Sequence, residues 1–402
     1  MNCWCLTIGL VYAMAGGDWV QFRGPAGSGI AVGGSVPQEI AADKNIAWRA
    51  DLIGRGLSSP IVVAGRVIVT ASSGARQDRL SVLAFDVQTG KRIWLRTFWA
   101  TGPTDSHPKS CMAAPTPVSD GKLVVALFAT NDLVCLDLNG NVRWLRSLYE
   151  ENPGASDGRG LASSPVLAGS TLVVLAESQN TSFVAGIDLH TGSDRWQVKR
   201  PREPNWTTPL VLPANGSEEP LVLVQGTTRL SAYDAATGRE VWALARGSHP
   251  IASSCLSGNR LFVPGDKGLV AFELLPGNAP PRLLWEKIKL NPSTASPLVK
   301  GDRIYCLRGP ILVVGDARTG EMISQVRLKG DFSSSPVAAG DLLYCFSEDG
   351  LAHVVRLGGG QVALVSSGSF SETILCTPAI ADGALYFRSD RHLWKVQATK
   401  LR

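Results

Sequence analysis

The stretch Leu83-Ala-Phe-Asp-Val-Gln-Thr-Gly-Lys-Arg-Ile-Trp94 decides the fold. It reads as one β-hairpin. Leu83 to Phe85 end a strand, Asp86 can accept hydrogen bonds from the turn backbone, Gly90 supplies a positive φ, and Lys91 to Trp94 begin the return strand. The hairpin recurs. Leu136-Asp-Leu-Asn-Gly-Asn-Val-Arg-Trp144, Ile187-Asp-Leu-His-Thr-Gly-Ser-Asp-Arg-Trp196 and Tyr233-Asp-Ala-Ala-Thr-Gly-Arg-Glu-Val-Trp242 repeat it, and Gly315-Asp-Ala-Arg-Thr-Gly-Glu321 is a further copy without the tryptophan. Repetition at a fixed period sets the architecture before any single residue can set the function.

A second motif precedes each hairpin. Ser59-Pro60-Ile-Val-Val-Ala-Gly65-Arg-Val-Ile-Val69 is an apolar run, a glycine turn and a β-branched run. The same pattern opens at Thr116-Pro117, Ser164-Pro165, Thr208-Pro209, Ser296-Pro297, Ser335-Pro336 and Thr377-Pro378, with Ser254-Cys255 as a variant. From the second residue of each pair the steps are 57, 48, 44, 46, 42, 39 and 42 residues. Four short strands in about 40–45 residues make a propeller blade. The last unit, Thr377 to Val396, supplies only three strands, and Ile46-Ala-Trp48-Arg49 is a strand with no hairpin before it. Joining the two closes the ring and removes a pair of exposed edges. The expectation is an all-β, eight-bladed β-propeller of four-stranded antiparallel blades. Six of the eleven tryptophans (Trp48, Trp94, Trp144, Trp196, Trp242 and Trp285) fall at the closing-strand position, where a large ring can fill the wedge between blades.

Composition agrees and narrows the function. The 42 glycines and 24 prolines suit many turns, and 39 Lys and Arg against 34 Asp and Glu leave a net charge of only +5, with no basic cluster to track phosphates. No nucleic-acid partner is expected. Residues 4–15 form a short apolar run ending Ala13-Met14-Ala15, which resembles a signal-peptidase site and is too short to span a bilayer. The expected layout is a leader over 1–15, an N-terminal extension over 16–45, one propeller domain over 46–396 and a tail over 397–402. That layout implies an exported protein of the periplasm or cell envelope, a monomer without a transmembrane segment. Cys111, Cys135, Cys255, Cys306, Cys345 and Cys376 show no paired spacing and read as buried thiols.

The Asp-x-x-Thr-Gly-x-x-x-Trp hairpin after a Ser/Thr-Pro strand resembles the PQQ-like β-propeller repeat, over residues 46 to 396. That repeat is shared by quinoprotein alcohol dehydrogenases and the outer-membrane assembly factor BamB. Trp19-Val-Gln-Phe-Arg-Gly-Pro25 and His107-Pro-Lys109 are similar to exported bacterial proteins of this repeat. The resemblance implies either of two functions. One is a non-catalytic scaffold for a protein or peptide partner, membrane-associated partners included, with strand addition at a blade edge as its mode. The other is an oxidoreductase using PQQ with calcium, or another small molecule, at the channel mouth. The dehydrogenase pattern needs two adjacent cysteines, which this sequence lacks, so no cofactor is expected. Neither the five histidines nor Asp137-Leu-Asn139-Gly-Asn141 has metal-ligand spacing, and no metal site is expected.

The loops joining each closing strand to the next Ser/Thr-Pro strand emerge on one face. Residues 95–115 carry Trp99, Asp105, His107 and Lys109; residues 145–163 carry Glu150, Glu151, Asp157 and Arg159; residues 197–207 carry Lys199, Arg200, Arg202 and Trp206; His249 follows. Asp105, His107, Lys109, Arg159, Trp206 and His249 are the candidate ligand-binding residues, set against the plain alternative of solvated loops. No residue is assigned a catalytic role.

Overall fold

Eight four-stranded antiparallel sheets form the ring in the computed structural model, which describes residues 17–34, 36–156, 158–213, 219–358 and 361–398. The expected leader, Asp157 and residues 399–402 of the tail lie outside the described residues. Blade 1 runs outward through Ile61–Val63, Arg66–Ser73, Arg79–Asp86 and Arg92–Trp99. Blades 2 to 7 follow, each from a short inner strand to an outer one: Val118–Ser119 to Val142–Ser147, Val166–Ala168 to Asp194–Lys199, Leu210–Leu212 to Glu240–Leu244, Cys255–Ser257 to Arg282–Lys287, Leu298–Lys300 to Met322–Arg327, and Val337–Ala339 to Ala363–Ser369. Blade 8 takes Ala379–Ala381, Ala384–Arg388 and His392–Gln397 from the C-terminal region and its outer strand, Ile46–Asp51, from the N-terminal one. The register pairs Trp48 with Lys395 and Arg49 with Trp394. The ring therefore closes as its strand count requires.

One alignment is corrected. The inner strand of blade 5 begins at Cys255, so Ser253-Ser254 occupies the place of Ser/Thr-Pro, one residue earlier than the repeat placed it. Without the proline landmark, nothing local marks the start.

The repeated turns show why these residues recur. Asp86 Oδ1 accepts the Thr89 N–H at 2.8 Å, the Gln88 N–H at 3.1 Å and the Thr89 hydroxyl at 2.8 Å, while Gly90 sits at φ 69°. The bonds from Thr89 hold the Asp86 carboxyl below its ordinary range. Asp188 and Asp234 make the same set, and Asp316 makes its two backbone bonds. Asp137 likewise accepts from Asn139 and Asn141, so its loop is a turn.

The turn glycine has a further use. A Cβ added at Gly90, Gly140, Gly192, Gly238 or Gly320 would lie 2.5–2.8 Å from the ring of Trp48, Trp94, Trp144, Trp196 or Trp285 of the preceding blade. Each indole lies flat on a bare backbone. The first four also donate Nε1–H to a carbonyl of the same turn, at Val87, Leu138, Leu189 and Ala235, over 2.9–3.1 Å. This locks neighbouring blades together and satisfies the buried indole N–H. The six central cysteines are buried free thiols, and burial pushes Cys376 up to about 11.

Residues 17–31, half of the region read as an extension, cross the far end of the channel. Trp19 pairs with Val62 of blade 1, the Val20 carbonyl accepts from Ser119 of blade 2, and Ala31 and Gly29 exchange bonds with Ala338 of blade 7. Trp19 and Arg23 are fully buried, and Arg23 donates to the Pro297 carbonyl of blade 6 at 2.5 Å. The segment spans the ring from one side to the other. The channel is blind.

A hydroxyl-ringed channel as the candidate functional site

Propeller geometry brings one residue from each blade to the axis. In seven blades the residue just before the inner strand is a proline with no N–H, and in blade 5 the Ser254 N–H is taken by Gln225 Oε1 at 2.8 Å, so the residue one place earlier has the backbone donor left at the strand start. That donor goes sideways. The N–H groups of Ser59, Thr116, Ser164, Thr208, Ser253, Ser296 and Ser335 each donate to the hydroxyl of the next blade's equivalent residue, ending at Thr377, over 3.0–3.1 Å. The remaining junction, between blades 8 and 1, is crossed by buried Arg388, which donates to the Thr70 carbonyl at 2.5 Å. Each hydroxyl that accepts an N–H keeps its own O–H, and among the described residues these hydroxyls donate to no other protein group. All eight ring residues line one cavity of about 780 Å³.

Strand periodicity builds the next layer. Two residues before each ring position stand Leu57, Ala114, Ala162, Trp206, Ile251, Thr294, Ser333 and Leu375, and all of them line the cavity above the hydroxyls. Phe22, from the crossing segment, lines the floor. The result is a well with an aromatic floor, a belt of O–H donors and a largely apolar lip.

Four of the six candidate residues line this well: His107, Lys109, Arg159 and Trp206. The loop carrying His107 and Lys109 lies as a strap across part of the mouth. Arg55 donates to the Pro108 carbonyl at 2.6 Å, the His107 N–H donates to the Arg159 carbonyl at 3.2 Å, and Lys109 reaches Glu348 of blade 7 at 2.8 Å. Burial raises the Glu348 carboxyl, but bonds from Lys109 and Ser333 outweigh it and hold the group below its ordinary value. Trp206 donates Nε1–H to the Gly160 carbonyl at 2.9 Å, which fixes the indole along the lip. Asp105 is exposed on the strap, off the cavity wall. His249 also lies off the wall; its Nδ1 accepts the Ile251 and Ala252 N–H groups at 3.3 Å, and burial keeps its pKa low. It is a turn-stabilising residue.

Arg200 is a second correction to the loop reading. It is buried between blades 3 and 4, ion-paired to Glu177 at 2.6 Å and bonded to Ser231 and Tyr233 at 3.1 Å, with Asn205 completing the Glu177 carboxylate at 2.7 Å. Sequence reasoning missed the hydroxyl belt and the Phe22 floor. Their signal was present as a Ser or Thr at every strand start, taken only as punctuation.

The cavity wall carries no Asp or Glu, and among the described residues no three His, Cys, Asp or Glu side chains gather to hold a metal ion. Calcium takes hard oxygen ligands, chiefly carboxylates. The residues present therefore do not fit a calcium–PQQ pair in this well.

A family model described as "Outer membrane protein assembly factor BamB" matches residues 20–211 and 181–279. The chain belongs to this family of PQQ-like β-propellers. No curated protein matches the sequence. Among solved structures it is similar to BamB from Moraxella catarrhalis, at 20% identity and TM-score 0.63, covering 89% of this chain and 99% of that one. It is similar also to a europium-containing methanol dehydrogenase, at 11% identity and TM-score 0.72 over 95% and 98% of the two chains. A quinohemoprotein alcohol dehydrogenase from Comamonas testosteroni gives 12% identity and TM-score 0.71 over 96% and 81%. These likenesses show the fold that the repeats define. No helix among the described residues is long and apolar enough to cross a membrane.

Proposed function

We propose that this chain is an exported, non-catalytic propeller scaffold of the cell envelope that binds a protein partner, receiving a peptide segment at the mouth of its blind channel. Membership of the assembly-factor family supports the class of partner. The observation that carries the site is the lip and belt together: Leu57, Trp206, Ile251 and Leu375 offer apolar contact above a ring of spare O–H donors. Carbonyls and side-chain oxygens of a peptide are the acceptors that such a belt suits. His107, Lys109, Arg159 and Trp206 are the proposed contact residues.

The test is photo-crosslinking in the cell envelope from a benzoylphenylalanine placed at Ile251, which is 42% exposed on the lip. The expected result is one discrete protein adduct that disappears in Trp206→Ala. Adducts that ignore Trp206, or none at all, overturn the reading.

A small-molecule ligand is the second reading, and one observation favours it. A blind well of about 780 Å³ falls within the size of ligand pockets. Saturable stabilisation by PQQ in calcium-free buffer, with no protein adduct at Ile251, would favour this reading. A ligand at a hundred times its Kd stabilises the native state by about 2.7 kcal/mol, a readable rise in Tm.

A further inference from the structure

The well is floored by Phe22 and ringed above it by eight hydroxyl side chains, so an occupant enters from the mouth and stops at the belt. Two buried cations stand behind that belt. Arg23 follows Phe22 under the floor, and Arg388 packs against Gly56 and Cys376, the chain neighbours of Leu57 and Thr377 on the wall. Both side chains are 1% exposed. Arg23 donates to the carbonyls of Pro297 and Ser28, and Arg388 to that of Thr70. Nε and Nη1 of Arg23, and Nε and Nη2 of Arg388, are buried without a partner. Among the described residues Asp390 is the carboxylate that acts on Arg388, and none acts on Arg23. A guanidinium stays charged at any working pH, so two under-compensated positive charges flank the bottom of the well. At the mouth Lys109 is already paired with Glu348, and no Asp or Glu among the described residues lines the wall.

Charge therefore selects an anion, and shape selects how it arrives. A volume of about 780 Å³ takes a drug-sized molecule, the bulk of a few residues. A loop spends four residues on its turn before its two legs begin, and a chain running through is stopped by Phe22. A chain end fits. An N-terminal ammonium brings only donors to a belt of O–H groups beside positive charge, whereas a C-terminal carboxylate brings two oxygens with about four acceptor sites. Hydrogen bonds to an ionised acceptor are roughly twice as strong as neutral ones.

We propose that the hydroxyl belt receives the C-terminal carboxylate of a partner protein, with the last apolar side chains of that chain against Leu57, Trp206, Ile251 and Leu375. The inference rests on the peptide reading of the well and adds which part of the peptide enters and what holds it.

The probe is fluorescein-Gly-Ser-Gly-Leu-Ala-Leu with a free C-terminal carboxylate, followed by anisotropy against the full chain beside the same peptide as its amide. The free acid is expected to bind saturably and at least tenfold more tightly than the amide. Among the described residues the Ser59 hydroxyl accepts no N–H from blade 8, so Ser59→Ala removes a belt O–H without stranding a neighbour. A loss of about threefold or more is expected. Ala114→Asp sets a carboxylate on the wall above the belt and is expected to abolish binding of the acid. Equal binding of acid and amide, undiminished binding to both variants, displacement of the probe by an equal concentration of acetate, or no saturation overturns the proposal. Crosslinking at Ile251 reads the peptide separately. A Trp206-dependent adduct with equal binding of acid and amide overturns this inference alone, and the absence of an adduct overturns the peptide reading itself.

Discussion

The two ends of the channel are built from the same eight blades and are finished in opposite ways. At the far end residues 17–31 cross the ring, burying Trp19 and Arg23 and bonding to blades 1, 2, 6 and 7. At the near end, among the described residues, the strap around His107 and Lys109 reaches over part of the mouth, held by exposed or half-exposed contacts. The first closure is core; the second is surface. A propeller that shuts one end with buried aromatic packing and holds the other with an ion pair has one face that opens only with the fold and one that can open locally.

This contrast can be broken most directly at Trp19. Trp19→Ala removes a fully buried indole and is expected to cost about 3–5 kcal/mol, read as a lower urea midpoint. An unchanged midpoint would make the crossing segment an ornament. Between the ends lies the hydroxyl belt, where the effect is intermediate. Ser164→Ala strands the buried Thr116 N–H and is expected to cost about 1–3 kcal/mol, while Ser164→Thr keeps the acceptor and restores most of it. Equal losses in the two variants would mean that packing, not the hydrogen bond, holds the belt.

The smallest effects belong to the open end. Lys109→Met removes a partly exposed pair and is expected to change stability by less than about 1 kcal/mol while loosening the strap, visible as faster amide exchange over residues 100–110. Acid acts on the same bond. The Glu348 carboxyl is depressed in the folded state, so its contribution is present above the unfolded carboxylate value and is lost as pH falls through the lower, folded one. Strap protection, taken relative to the intrinsic exchange rate at each pH, is therefore expected to fall on acidification below the ordinary carboxylate range in the native chain, and to be flat with pH in Glu348→Gln.

Much of this was legible in the sequence because local chemistry and repetition agree. Asp86 and Gly90 announce their turn by residue type alone, and three strands in the last repeat with one spare strand near the start leave a single way to close the ring. The crossing segment was not legible. It has no periodicity, and its anchors are distant in the chain, as Arg23 on Pro297 shows across 274 positions. Arg200 misled for the related reason that its partners Glu177, Ser231 and Tyr233 come from two blades, so a loop cation could not be told from a buried one. The candidate site was half visible. Loop length pointed to the face where His107, Lys109, Arg159 and Trp206 line the well, but His249 turned its ring nitrogen to its own backbone, and the belt was hidden in residues that looked like strand punctuation.

Blade 8 has a consequence in time. Trp48 and its partner Lys395 lie 347 residues apart, so the strand that completes the ring is made early and its acceptor last. At about 5–20 residues per second, Ile46–Asp51 waits roughly 17–70 s for the place it will occupy. Over that interval it is an unpaired, partly apolar strand, and seven other four-stranded blades, each with an outer edge, are being made beside it. The register that seats Arg49 against Trp394 must therefore discriminate among siblings, not merely bind. The ring is a lock whose key is cut first and carried through the making of every ward.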